Sequence, residues 1–145
     1  FSIEEWHPPE LENEQCQWVV QTWAVNNRRI WDQGVYGTNQ ILGFTDTGLD
    51  VNHWAFRDPQ VAITDTGEFP NHRKVALFKN YTYQGVGDPD GHGTHVGGTI
   101  GGNDSINGGT NPNDGHSKGG RLAILSPIPQ PPGWDLTGPF NMLTN

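Results

Sequence analysis

The run Gln40-Ile41-Leu42-Gly43-Phe44-Thr45, followed at once by Asp46-Thr47-Gly48, decides how the rest of this sequence is read. So short an apolar run, set off by glycines, cannot make a stable helix, and it fits a strand buried in a parallel sheet. Lys74-Val75-Ala76-Leu77-Phe78 and Arg121-Leu122-Ala123-Ile124-Leu125 have the same character. Between these two, His92 to Ile100 places Val96 and Ile100 at a helical spacing. Gly97 and Gly98 each cost that helix roughly 1 kcal/mol relative to Ala, which implies that it lies hard against another backbone. Strand, helix and strand in alternation predict an α/β fold, a parallel sheet with crossover helices.

Upstream, the spacing of Leu11, Gln15, Trp18, Val19, Thr22 and Trp23 predicts an amphipathic helix over Glu10 to Val25, ended by Asn26-Asn27-Arg28-Arg29. Gln33 to Gly37 reads as a turn-rich connection. The stretch between Gly48 and Lys74 is loop, with Pro59, Gly67 and Pro70, and Gly101 to Gly120 is a polar, glycine-rich loop. Pro127, Pro129, Pro131 and Pro132 bar any helix or strand interior after the third strand. There is no internal repeat.

The chain has 145 residues, the size of one ordinary domain. Its 8 basic and 16 acidic side chains give a net charge of −8, and no basic cluster exists beyond Arg28-Arg29, which argues against nucleic acid as a partner. Five of the six glutamates fall within the first fourteen residues and read as a solvated face or helix start. Cys16 is alone, so there is neither an internal disulfide framework nor a cysteine metal cage. No apolar run approaches the length of a membrane span, and no N-terminal signal sequence is visible. The six tryptophans read mostly as packing anchors. The Asn-x-Ser/Thr patterns at Asn80 and Asn103 occur at chance frequency.

Asp46 sits just past the carboxyl end of a strand, the edge where ligands and catalytic groups collect in open parallel sheets. A carboxylate there loses hydration and needs a partner, although an Asp-Thr-Gly turn is the plainer reading. His92 opens the helix in Gly91-His92-Gly93-Thr94-His95. A helix N-terminus disfavours a positive imidazole and keeps the ring available as a base, whereas a carboxylate opposite stabilises the imidazolium. Such a pair is the orienting half of a Ser-His-Asp triad, in which the acid fixes the tautomer and the histidine moves the proton.

Two rivals use nearby residues. Gly115-His116-Ser117-Lys118-Gly119 spells a nucleophile elbow, but a polar loop precedes it and a strand follows, the reverse of the order an elbow needs. Asp88, Asp90, His92, His95 and His116 are metal-ligand types, yet no His-Glu-x-x-His arrangement is present and Asp88-Pro89-Asp90-Gly91 reads as a turn.

The segments Ile41 to Asp50 and Asp90 to Ile100 resemble the blocks around the catalytic Asp and His of the subtilisin-like serine proteases, or subtilases, and they occur in that family's order. Asn52-His53, Phe56 and His72-Arg73-Lys74-Val75 resemble its large, divergent members, and the similarity runs over about 34–125. The resemblance implies a partial subtilisin-like parallel sheet: residues 1–33 as an N-terminal helical extension and 34–145 as the incomplete N-terminal part of a peptidase domain. It implies peptide-bond hydrolysis through a serine acyl-enzyme, with Asp46 and His92 as the catalytic acid and base and His95 as structural. Gly97 stands where the family commonly has alanine. The family's Gly-Thr-Ser nucleophile and its oxyanion asparagine have no match here, since the four serines are Ser2, Ser105, Ser117 and Ser126.

The expectation is therefore a chain inactive by itself, completed by the C-terminal remainder of the protease domain or by another protein chain, and then acting on polypeptides. It would be a cleaved fragment, a piece of a longer protein, or an inert pseudoprotease serving as a structural or binding subunit. Half of a parallel sheet leaves an apolar edge and face exposed, which favours a covering partner. No cofactor is assigned; many subtilases bind calcium, which stays open here, although Ala55 stands where a carboxylate ligand is common. A secretory-pathway location is implied by the resemblance alone.

Overall fold

The computed structural model describes residues 13–81, 85–107 and 115–126. In chain order they form α1 (Asn13–Thr22), α2 (Arg29–Asp32), β1 (Ile41–Thr45), β2 (Gly67–Glu68), β3 (Val75–Lys79), α3 (His92–Gly101), a short 3-10 turn (Ser105–Asn107) and β4 (Arg121–Leu125). The strands make one sheet in the order β1-β4-β3-β2. β4 pairs in parallel with both β1 and β3, from Ile41 opposite Arg121 to Thr45 opposite Leu125 on one side. The expected parallel α/β sheet is present, with the antiparallel edge strand β2 added to it. Two residues long, β2 carries no pattern a sequence can announce, and its pairing is set by β3.

The core lies around the central strand. Leu122 and Ile124 of β4 and Val75 and Phe78 of β3 are fully buried, with Leu49, Ala55 and Phe56 from the β1–β2 connection. Each of these side chains larger than alanine contributes about 1.5–3 kcal/mol on leaving water. α3 crosses β1 and β4 through its glycine face, with Gly93, Gly97 and Gly101 buried. A Cβ at Gly97 would stand 3.0 Å from Leu49 Cδ1 and Phe44 Cζ, and one at Gly101 3.0 Å from Leu122 Cδ2. The expected backbone-on-backbone approach occurs at Gly93, where a Cβ would overlap the Gly48 carbonyl oxygen, and at the Gly98 carbonyl, which lies against the backbone of Gly115, while Gly97 meets side chains.

β1 corrects one expectation. It is an apolar run but not a buried strand: Ile41 is 62% exposed, and Gly43 and Thr45 are exposed too, while Leu42 and Phe44 turn toward α3. β1 is an edge strand, with β4 on one side, and α3 packs against the face that carries Leu42 and Phe44, opposite Ile41, Gly43 and Thr45.

The N-terminal helix ends at Thr22, before the predicted Val25, and the predicted start at Glu10 and Leu11 lies outside the described residues. Its inward side chain is Gln17, whose Oε1 accepts from Arg28 Nε at 2.9 Å, while Gln21 Oε1 accepts the Ile30 amide at 3.0 Å. Trp23, expected on the buried stripe, is 83% exposed and has φ +59°, because the helix has already ended there. α2 docks through Trp31, which is 7% exposed and donates from Nε1 to the His116 carbonyl at 3.1 Å. Lys118 Nζ sits 4.3 Å from the Trp31 ring centre and 5.2 Å from that of Tyr36.

Candidate active site

β1 ends at Thr45, and the ladder runs one step further, the Asp46 amide donating to the Leu125 carbonyl at 3.2 Å. This fixes where the Asp46 side chain leaves the sheet. α3 begins opposite, after Gly91 at φ +89°, a left-handed turn that glycine adopts without steric cost. The first amides of a helix have no partner within it. Here the His92 amide donates to Asp90 Oδ1 at 3.3 Å, the Gly93 amide to Thr47 Oγ1 at 2.9 Å and the Thr94 amide to Asp88 Oδ2 at 2.7 Å.

The two sequence-derived site residues meet at this mouth. His92 Nδ1 lies 2.7 Å from Asp46 Oδ1. The same Asp46 oxygen accepts the Thr47 amide at 2.7 Å. The Asp46 side chain is 13% exposed and the His92 ring 42%, so the carboxylate is sheltered and the ring reaches solvent. The hydrogen bond to Asp46 raises the His92 pKa above its ordinary value; slight burial opposes this, and the charges of Asp46, Asp90 and Asp88 add to it. The carboxylates thus outweigh burial, the opposing influence on this ring.

With Nδ1 held by a carboxylate, the neutral ring carries its proton on Nδ1 and keeps the Nε2 lone pair for a proton in transit. Among the described residues no serine hydroxyl is hydrogen-bonded to His92. Ser126 Oγ donates to the Thr47 carbonyl at 3.4 Å, and Ser105 Oγ accepts from Arg73 at 3.2 Å. Ser117 lies in a turn, its amide bonded to the Ile100 carbonyl and β4 following it, so the elbow order of strand then helix is absent. Ser2 lies outside the described residues. No group of three or more His, Cys, Asp or Glu among the described residues is arranged to hold a metal ion. His95 is exposed, one turn beyond His92.

Sequence reasoning read Asp88 as a metal-ligand type and a turn residue and gave Thr47 and Thr94 no role of their own; in the structure these three side chains join the two elements. The signal for the two threonines was a small hydroxyl residue close to each chemical one, in Asp46-Thr47 and in His92-Gly93-Thr94.

The sequence model of the subtilase family matches residues 37–124, the segment that builds this site. Among curated proteins, the serine protease/ABC transporter B family protein tagD of Dictyostelium discoideum is 42% identical over 78 residues, 54% of this chain and 4% of that protein. Its relative tagA, described in the same words, is 38% identical over 78 residues, 53% of this chain and again 4% of that protein. The subtilisin-like protease PopC of Myxococcus xanthus is 35% identical over 66 residues, 44% of this chain and 13% of PopC. The chain thus spans a small part of the length of each relative. No solved structure matches significantly.

Proposed function

This chain belongs to the subtilase family, and from that premise we propose that it supplies the acid and base of a serine endopeptidase, Asp46 orienting His92. The observation that carries the reading is the 2.7 Å contact between His92 Nδ1 and Asp46 Oδ1, inside the matched segment. His92 Nε2 takes the proton of a serine hydroxyl as its oxygen bonds to the peptide carbonyl carbon. The carbon–nitrogen bond then breaks, and the proton passes from Nε2 to the departing amine. Water repeats the sequence on the acyl-enzyme, releasing the acid and restoring the serine. Asp46 stabilises the imidazolium at both stages without itself taking the proton.

The nucleophile comes from polypeptide outside these 145 residues, and the substrate of the completed site is a polypeptide. The chain alone is inactive, because a triad without its serine retains only residual effects of binding. Residues 34–145 act as part of the peptidase domain and 1–33 as its extension. The exposed outer face of β1, with Ile41 62% exposed, supports a covering partner, the remainder of the domain. No helix among the described residues is long and apolar enough to cross a membrane.

The test is labelling with a serine-reactive fluorophosphonate. The isolated chain stays unlabelled, and the native assembly is labelled on a serine outside the 145 residues, with labelling lost in His92→Ala. Labelling of Ser117 or Ser126 in the isolated chain, or an assembly in which His92→Ala labels as well as the parent, would overturn the proposal.

A further inference from the structure

The loop leading into α3 carries another carboxylate, and it takes no part in the contact between Asp46 and His92. Asp88 Oδ1 accepts from Thr47 Oγ1 at 2.7 Å, and Oδ2 accepts from the Thr94 amide at 2.7 Å and from Thr94 Oγ1 at 2.6 Å. The two threonines reach further. Thr47 Oγ1 accepts the Gly93 amide at 2.9 Å, and Thr94 Oγ1 accepts the Asp50 amide at 2.8 Å. Residues 46–50 are thereby tied to the first turn of α3 at two points, and Asp88 is common to both ties.

The Thr47 hydroxyl has one hydrogen and two carboxylates within reach, Asp88 Oδ1 at 2.7 Å and Asp46 Oδ1 at 3.3 Å. The shorter contact takes the proton. Asp46 Oδ1 is then left to its two 2.7 Å partners, the Thr47 amide and His92 Nδ1.

We propose that Asp88 is a positioning residue: by taking the Thr47 hydroxyl proton and both Thr94 donors, it locks the Asp46 loop to the mouth of α3 and reserves Asp46 for His92. The inference rests on the reading of Asp46 and His92 given above. Asp88 keeps the charge this needs: burial works against its ionised form, but hydrogen bonds from Thr94, Thr47 and Gly91 outweigh it and hold the carboxyl below its ordinary pKa. The charges acting on His92 come from Asp46 across the mouth and from Asp90 and Asp88 on the loop before the helix.

The experiment follows the His92 titration by NMR in the 145-residue chain. The variants are Asp88→Asn, Thr47→Val, the double variant and Asp46→Asn. An asparagine at 88 donates its amide to Thr47, which turns the hydroxyl proton onto Asp46. Asp88→Asn therefore lowers the His92 midpoint, in the same direction as Asp46→Asn and by less, while the amide signals of β1 and β4 stay in place. Thr47→Val lowers it through loss of the tie, and the effect of Asp88→Asn is smaller in the Thr47→Val background. A residue that merely caps the helix would lower that midpoint only through the loss of its own charge, and by the same amount with and without Thr47.

An unchanged midpoint in Asp88→Asn beside a lowered one in Asp46→Asn overturns the role of Asp88 and leaves the Asp46–His92 pair standing. An unchanged midpoint in both overturns the pair as well. An Asp88→Asn effect of the same size with and without Thr47 also overturns the route through Thr47. Where Asp88→Asn does not fold, Thr47→Val decides alone: a lowered midpoint supports the tie, and an unchanged one rejects it.

Discussion

α1 and α3 are both ten residues long, and they reverse what composition suggests. α3 contains four glycines, which disfavour a helix, yet its glycine face packs against Gly48, Leu49, Phe44 and Leu122 and its mouth is tied by Asp90, Thr47 and Asp88. α1 has better helix formers and three large apolar residues at its end, yet Val20 is exposed, Trp23 lies beyond the helix in a strained conformation, and two glutamines make the inward bonds. The helix that carries chemistry is held by contact rather than by propensity, and that contact sets where His92 points.

The comparison breaks most sharply at Gly93. Gly93→Ala forces a Cβ into the Gly48 carbonyl, and overpacking against backbone costs about 3 kcal/mol or more. Chemical denaturation would show a lowered midpoint, and the His92 Nδ1 proton signal would weaken as the helix moves from Asp46. An equal loss from an alanine anywhere on α1 would erase the distinction.

Acidification comes next. Burial lowers the pKa of His72, an effect Asp58 partly offsets and Arg73 and Arg121 reinforce, and burial alone lowers that of His116. His72 Nδ1 accepts the Lys74 amide at 3.1 Å and the Val75 amide at 2.9 Å, bonds that require the unprotonated nitrogen. Their contribution is present above about pH 6.5 and is lost as pH falls through the lower folded values. His92 runs the other way: its pKa is raised, so its contribution is present below about 6.5 and lost as pH rises through the folded value. The melting temperature is expected to fall between pH 7 and 5, and to fall more steeply in Asp46→Asn, which removes the opposing contribution.

Gly97→Ala sharpens the same comparison. The Cβ would meet the ends of two side chains at 3.0 Å, which yield more readily than backbone, and a helix gains roughly 1 kcal/mol from Gly to Ala. Stability is expected to change by less than about 1 kcal/mol, unlike the loss at Gly93. Smallest is Trp23→Gly, where relief of a left-handed conformation slightly exceeds the entropy of glycine, a gain of roughly half a kcal/mol by denaturation. A glycine then helps where α1 ends, whereas its removal harms α3.

β1, β3, β4 and α3 were legible to within a residue because each is an apolar or glycine-bounded run whose length admits one kind of element. The pairing of Asp46 with His92 was legible because strand end and helix start are features of the chain itself. The exposed face of β1 was not, since burial depends on what packs over each face of the sheet. α2 and β2 went unread because four and two residues hold their shape through Trp31 and through β3. The ties through Thr47, Asp88 and Thr94 went unread for the same reason, as they join positions 6 to 46 residues apart.

The most direct measurement is the midpoint of the His92 ring titration in the parent chain and in Asp46→Asn. A parent ring that titrates above the ordinary histidine value and drops when the carboxylate becomes an amide is the predicted result. A ring that titrates at or below that value, and ignores the substitution, would contradict a carboxylate steering an imidazole in this molecule.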